Sequence, residues 1–279
     1  MSNELNKRIA NHYWTITNSI YLEIDKHTIQ IFYDTDEGKE SYGTAILAKY
    51  QNHHFILSAA HVLEMDDLPK LYFENGKKPN GETSFQTIGE YALMASQKIE
   101  NKRRNDKIDL AVLKLLSIED IKQFETSFKF FDFEAADKEH SPIPNISFYI
   151  VFGYPGTYTK FKNKYRKENE RKTFVLNSII KDFNNCEKYG YDSNHNIFID
   201  YPKRIQKEGK SQLLKPPNPR GISGGGLWRI TDSVSIETRK WNYELVGIMI
   251  EVHKERILVA SKLKQIDEII MYLNNGKSA

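Results

Sequence analysis

The 279 residues carry 40 Lys and Arg against 37 Asp and Glu, a formal net charge of +3. So small an excess does not by itself point to a nucleic-acid or membrane partner. Hydrophobic residues make up 39% and charged residues 28%, the composition of an ordinary water-soluble chain long enough to bury a sizeable core. The lone cysteine, Cys186, excludes an internal disulfide and points to a reducing compartment. The polar N-terminus lacks the apolar run of a signal peptide, and no stretch approaches the ~20 apolar residues that span a bilayer. A cytoplasmic protein is the expectation.

In chain order, the first expected element is a short amphipathic helix, because Leu5, Ile9, Tyr13 and Ile16 recur three or four residues apart. Strand-like runs follow at 20–24 and 28–33. The runs 43–48 and 54–57 flank the polar turn Gln51-Asn52-His53 and read as a hairpin. A second set of strands lies beyond Pro142, at 146–152, 173–176 and 245–250. Leu263, Ile266, Ile269, Ile270 and Leu273 then fall on one face of a closing helix. The basic segment Lys160–Lys167 interleaves aromatics as a nucleic-acid site would, but Glu168 and Glu170 interrupt its continuation; it reads as a solvated loop. His53 and His54 have no ligand-bearing neighbours, so neither metal nor cofactor is expected.

Three segments carry chemistry. Gly221-Ile222-Ser223-Gly224-Gly225-Gly226 sets a serine among residues that leave the backbone bare. The amides of Gly221 and Ser223 could there converge on one oxygen and stabilise the charge of an acyl-transfer transition state. Phe55–Val62 is an apolar run that ends in small residues and delivers His61. In Lys107–Leu115, Asp109 opens an apolar strand; a buried acid needs a partner, and an imidazole N–H would fix the ring as it pairs. Asp106 competes for that role but sits in the polar run Arg104–Lys107.

The order His61, Asp109, Ser223, with Ser58-Ala59-Ala60-His61, Asp109–Leu113 and Gly221–Gly225 as local contexts, resembles the chymotrypsin-like (trypsin-like) serine peptidases. Gly153-Tyr154-Pro155 is similar to the turn that follows the first strand of the second barrel in bacterial members. Gly221-Ile222-Ser223-Gly224-Gly225 also fits the G-x-S-x-G elbow of α/β-hydrolases. That fold requires a helix after the serine, whereas residues 226–236 are strand-like and only His253 lies downstream.

The resemblance, to an intracellular bacterial type, implies an all-β fold of two packed six-stranded barrels with a C-terminal helix. It makes residues 1–279 one peptidase domain: an N-terminal barrel over about 15–140, a C-terminal barrel over about 141–262, and the helix over about 263–275. It implies a serine endopeptidase with His61 as base, Asp109 as its orienting acid, Ser223 as nucleophile, and Gly221 and Ser223 as the oxyanion hole. An ordinary histidine titrates near pH ~6.5, so activity is expected to rise between about pH 6 and pH 8. The substrate is a protein or peptide, and a regulatory partner is implied by the stress-response and antiviral roles of such members. Pro217, in the pocket floor, and Ile250, Glu251 and Val252, in its wall, are the implied specificity residues. Alternation sets Glu251 opposite Ile250 and Val252, and either face could line the pocket. Without an acid in 214–220, a small or apolar residue before the cut is expected, with Lys215 or Arg220 as alternative attractors of an acidic one. Two departures stand out: Ile222 replaces the aspartate that pairs with a newly cut N-terminus, and residues 247–252 lack the serine that supports the catalytic acid.

Overall fold

Most strand-like runs in this sequence are apolar at successive positions, and a strand sends successive side chains to opposite faces. Each such strand must therefore be covered on both sides. The computed structural model describes residues 16–36, 38–64, 71–77, 83–98, 103–140, 148–156, 173–181, 183–206, 213–214, 216, 218–231 and 242–275. It meets this demand with two sheets packed against each other.

The N-terminal half opens with helix α1 (16–25). It continues through β1 (Thr28–Thr35), β2 (Gly38–Tyr50), β3 (His53–Ala59), the one-turn α2 (Ala60–Leu63), β4 (Leu71–Lys77), β5 (Thr83–Gln86), β6 (Tyr91–Ala95), β7 (Leu110–Leu115), α3 (Ile118–Glu125) and β8 (Phe131–Asp132). The C-terminal half contains β9 (Phe148–Gly153), β10 (Phe174–Ser178), β11 (Asn196–Asp200), β12 (Ile205–Gln206), β13 (Leu213–Leu214), β14 (Gly226–Thr231), β15 (Asn242–His253), β16 (Ile257–Lys262) and α4 (Lys264–Asn274).

The first sheet runs β5-β4-β1-β2-β3-β7-β6, with β8 paired in parallel to β2. The second runs β10-β9-β14-β15-β16-β11. Just past β10, Ile180 bridges Ile199 of β11, and the Lys181 N–H donates to the Phe198 carbonyl at 2.8 Å. Those bonds join the two outer strands, so the second sheet closes into a six-stranded barrel without free edges. Among the described residues no ladder joins β5 to β6, and the first sheet is an open half-barrel. The expected all-β architecture of two packed barrels with a C-terminal helix agrees with the structure. The difference is that the first sheet has eight strands and an open seam.

Alternation sorts the side chains into separate cores. Ala45, Leu47, Ile56, Ala111 and Leu113 fill the N-terminal half. Tyr149, Val151, Leu227, Val246, Met249 and Leu258 fill the C-terminal barrel. The intervening residues Ile46, Ala48, Phe55, Leu57 and Val112 meet Ile150, Phe152, Trp228 and Ile248 in a third core between the sheets. Helices α1 and α4 contribute Ile16, Ile20, Ile24, Ile266 and Ile270 to that same core.

The run 20–24, expected as a strand, is helical instead. Ile16, Ile20 and Ile24 stand four residues apart, and on a helix they bury together on one face, whereas Leu22 stays exposed. Burying each isoleucine contributes about 1.5–3 kcal/mol, which outweighs the modest β preference of the run. The hairpin at 51–53, the strands β9, β10 and β15, and the closing helix occur where the sequence pattern sets them. Lys114 of β7 caps α4, its Nζ donating to the Leu273 carbonyl at 3.2 Å and to Asn274 Oδ1 at 3.0 Å. Among the described residues no helix is long and apolar enough to cross a membrane. Leu5, Ile9, Tyr13, Lys215, Pro217 and the basic segment 160–167 lie outside the described residues.

Candidate active site

The β3–β7 ladder brings the imidazole and the carboxylate together. Ala59 pairs with Leu110, so the next residues on each strand, Ala60 and Asp109, also meet, and the Ala60 N–H donates to the Asp109 carbonyl at 2.8 Å. His61 follows on α2. Its backbone N–H donates to Asp109 Oδ1 at 2.9 Å, and its Nδ1 lies 2.5 Å from Oδ2. Both carboxylate oxygens thus receive hydrogen bonds from one residue. A carboxylate acceptor assigns the proton to Nδ1 and leaves Nε2 as the lone-pair nitrogen facing outward.

Asp109 itself is buried, its side chain 9% exposed, whereas the His61 side chain is 39% exposed. Burial raises the Asp109 carboxyl above its ordinary range, against the lowering effect of its hydrogen bonds from His61. The residue also adopts a left-handed backbone, φ +46°, at a cost of about 1–2 kcal/mol for a non-glycine. Its turn is over-determined by hydrogen bonds that offset this strain. Ile108 N–H donates to Asp106 Oδ1 at 2.9 Å, and Leu110 N–H donates to Ser96 Oγ at 3.0 Å. From the other barrel, Ser261 Oγ donates to the Ile108 carbonyl at 2.5 Å, and Asn196 Nδ2 donates to the Lys107 carbonyl at 2.7 Å. Asp106 is therefore a brace and not the partner of His61; it also accepts from Ser96 Oγ and Arg103.

Ser223 lies in the tight loop before β14. Gly221 and Gly224 have φ of +97° and +84°, and a Cβ on Gly224 would lie 1.9 Å from the Thr44 carbonyl oxygen. Only glycine fits there. Ile222 points inward and is 2% exposed in the barrel core, so apolar packing anchors the loop at the position of the absent aspartate. The carbonyls of Arg220 and Ile222 accept from the N–H groups of Gly156 and Gly225, at 2.9 and 2.8 Å. In a trans peptide the N–H points opposite to the C=O. The Gly221 and Ser223 amides are thereby turned away from those anchors, and neither donates to an acceptor among the described residues.

His61, Asp109, Gly221 and Ser223 line one cleft of about 600 Å³, with Ile250, Glu251 and Val252 on its wall and Asn218, Pro219 and Arg220 beside the loop. All three wall residues line it, so alternation does not reserve the cleft for one face. Glu251 is held by Lys107 from the opposite sheet, Nζ to Oε1 3.0 Å. One expected contact is not made: Ser223 Oγ donates to the Ile250 carbonyl at 3.2 Å and makes no hydrogen bond to His61.

The sequence assigned no role to four side chains at this site, although Ser58 and Tyr154 stand inside recognised motifs. Tyr42 donates to the His61 carbonyl at 3.1 Å, Thr44 braces the serine loop, and Ser58 holds the Thr44 carbonyl. Tyr154 OH ties the turn after β9 to Asp25 at 2.5 Å. For Tyr42 and Thr44 the signal in the sequence was proximity to Gly43 and the strand before His61, which names no partner.

Two antiparallel sheets, a cleft between them and a C-terminal helix define the trypsin-like fold. The chain has this fold in common with two crystal structures from the scabies mite. It overlays the inactivated protease paralogue S-I1 with a TM-score of 0.54 at 14% identity, covering 90% of this chain and 95% of that one. For the inactivated protease paralogue S-D1 the values are 0.53, 12%, 91% and 94%. No family model matches the sequence, and no curated protein matches it.

Proposed function

We propose that the chain is a serine endopeptidase. The observation that carries this reading is the meeting of a hydrogen-bonded His61–Asp109 pair, Ser223 and two undonated loop amides on one cleft. Ser223 Oγ leaves the Ile250 carbonyl, passes its proton to His61 Nε2 and attacks the scissile carbonyl carbon. The oxyanion forms against the Gly221 and Ser223 amides. His61 returns the proton to the leaving amine, giving an acyl-enzyme ester that a water, activated by the same imidazole, then hydrolyses. Asp109 holds the tautomer and offsets the charge of the imidazolium. No described residue of the pocket floor is acidic, and Glu251 is engaged by Lys107. These favour a small or apolar residue before the cut; predominant cleavage after Arg or Lys in a peptide library would overturn this.

A second reading is a binding module that retains the fold without turnover. Two observations favour it: the serine hydroxyl is bonded away from His61, and both scabies mite paralogues are described as inactivated. A fluorophosphonate probe separates the readings. Covalent labelling that disappears in Ser223→Ala supports the peptidase, and absence of labelling in wild type supports the module. A restrained intracellular role, in stress response or antiviral defence, is proposed on the sequence resemblance. Rapid casein degradation by the isolated protein with no partner present would count against that restraint.

A further inference from the structure

We propose that Thr44 of β2 is a positioning residue for the serine loop, reaching across from the opposite sheet to hold the peptide planes that follow Gly221 and Ser223. This rests on the peptidase reading above. The β2–β3 ladder begins at Ile46–Leu57, so on that side Thr44 lies beyond the last pair and its polar groups are available to the other half of the molecule. Its backbone N–H donates to the Ser223 carbonyl at 2.9 Å. Its hydroxyl donates to the Gly221 carbonyl at 3.1 Å and accepts from the Tyr154 N–H at 2.9 Å. Its own carbonyl accepts from Ser58 Oγ at 2.7 Å. Thr44 is fully buried, where such bonds face no competition from water.

The pattern of anchors is what assigns the role. Four successive loop carbonyls, those of Arg220, Gly221, Ile222 and Ser223, are each held by a donor. The first and third are held within the C-terminal barrel and the second and fourth by Thr44. Because each peptide plane is rigid, a fixed carbonyl fixes the amide of the next residue: the barrel's own anchors orient the Gly221 and Ser223 amides, and Thr44 fixes the planes on the other side of those two Cα atoms. Gly221 and Gly224, free of side chains, would otherwise allow the loop's planes to rotate at little cost. Rotation of the planes that Thr44 holds would shift the Gly221 and Ser223 Cα atoms and carry the donors and Ser223 Oγ away from the point on which they converge. With the planes on both sides of Gly221 and of Ser223 held, the two residues keep their place before substrate arrives, the condition under which such donors act most strongly.

The test compares Thr44→Val, which keeps the shape but loses the hydroxyl, with Thr44→Ser, which keeps it. Substrate is p-nitrophenyl acetate, and phenylboronic acid serves as the tetrahedral mimic. Thr44→Val is expected to lower kcat by about 10- to 100-fold, the range for a displaced catalytic group. KM should change by less than about twofold, and boronate affinity should fall in parallel with kcat. Thr44→Ser should stay within about threefold of wild type on all three measures. Wild-type kcat in Thr44→Val overturns the proposal, as does an equal loss in both variants, which would show that keeping the hydroxyl does not keep the activity. If Thr44→Val does not fold, Thr44→Ala, assayed at a temperature where its melt shows it folded, is held to the same thresholds. A wild type that neither hydrolyses the ester nor labels with fluorophosphonate overturns the peptidase reading and this inference with it. That outcome is distinct from an active wild type indifferent to residue 44.

Discussion

His61 and Asp109 come from the open N-terminal sheet and are joined by side-chain hydrogen bonds. Ser223 comes from the closed C-terminal barrel, on a loop held almost wholly through its backbone. The first half depends on burial: a carboxylate 9% exposed, strained and raised in pKa, aims one imidazole. The second depends on missing side chains, since glycines let the loop pass within contact distance of Thr44. Each half is nonetheless clamped by the other. Ser261 and Asn196 of the C-terminal barrel hold the carbonyls before Asp109, and Thr44 of the N-terminal sheet holds those around Ser223. The seam between the sheets is therefore part of the site, and a change on either side should be read on the other.

The largest effect expected is loss of the reacting groups themselves. Ser223→Ala and His61→Ala should each lower turnover by on the order of 10⁴–10⁶-fold, and the double variant by little more than either, because they act as a unit. Steady-state kinetics on purified protein decides this. Independent, multiplying losses would mean that the two halves do not form one machine.

Asp109→Asn tests whether the acid serves catalysis at the expense of stability. Turnover should fall by about 10⁴-fold as the ring loses its tautomer. Stability should behave differently. The Asp109 carboxyl titrates above its ordinary value in the folded protein. The folded state therefore binds more protons than the unfolded state over that window, and stability is lost as pH rises through it. At neutral pH the ionised carboxylate is a cost that the amide does not carry. A thermal melt should show Asp109→Asn no less stable than wild type at about pH 7. A clear fall in melting temperature would contradict the burial argument.

On the other half, Gly224→Ala asks how much the bare backbone matters. The added Cβ would lie 1.9 Å from the Thr44 carbonyl oxygen and 2.0 Å from Ser58 Oγ, at a φ of +84°. Backbone strain alone costs about 1–3 kcal/mol, and the clash requires the seam to shift. Both melting temperature and activity should drop. By contrast, Ser261→Ala removes one of several braces around Asp109 and should cost about 1 kcal/mol or less in stability, with a smaller loss of activity. Equal losses in the two variants would erase the contrast between the halves.

How much of this was legible in the sequence follows from the same contrast. The meeting of His61, Asp109 and Ser223 on one cleft could be anticipated because three local contexts, each weak alone, follow one another in a recognisable order. The architecture could be read from alternation and from the spacing in α4. What was not legible depended on pairing between distant segments. The run 20–24 is β-branched enough to pass for a strand, and only burial in the core that residues of α4 and Trp228 also fill favours the helical face of Ile16, Ile20 and Ile24. Thr44 gives no sign in the sequence that its hydroxyl meets Gly221, 177 residues away. The bond from Ser223 to the Ile250 carbonyl is set by a rotamer, which no spacing encodes.

The smallest effect concerns pH and the seam itself. His27 packs against Phe131 of the first half and near Trp228 and Tyr243 of the second, with Nδ1 2.8 Å from the Lys129 carbonyl. His140 is fully enclosed, between Asp137 and the Tyr149 hydroxyl, each at 2.9 Å. Burial lowers both pKa values below the ordinary 6.5, and for His140 the Asp137 carboxylate works in the opposite direction. Near and below that value the unfolded chain binds protons that the folded chain does not, so stability rises with pH through the window and is lost as pH falls through it. The melting temperature should therefore decline as pH is lowered from about 7.5 to about 5.5. His27→Gln with His140→Gln should flatten that slope while leaving Ser223 reactive to fluorophosphonate at neutral pH. A wild-type melting temperature that is level over this range, or a double variant with the wild-type slope, would show that the buried histidines do not control the acid sensitivity of the seam.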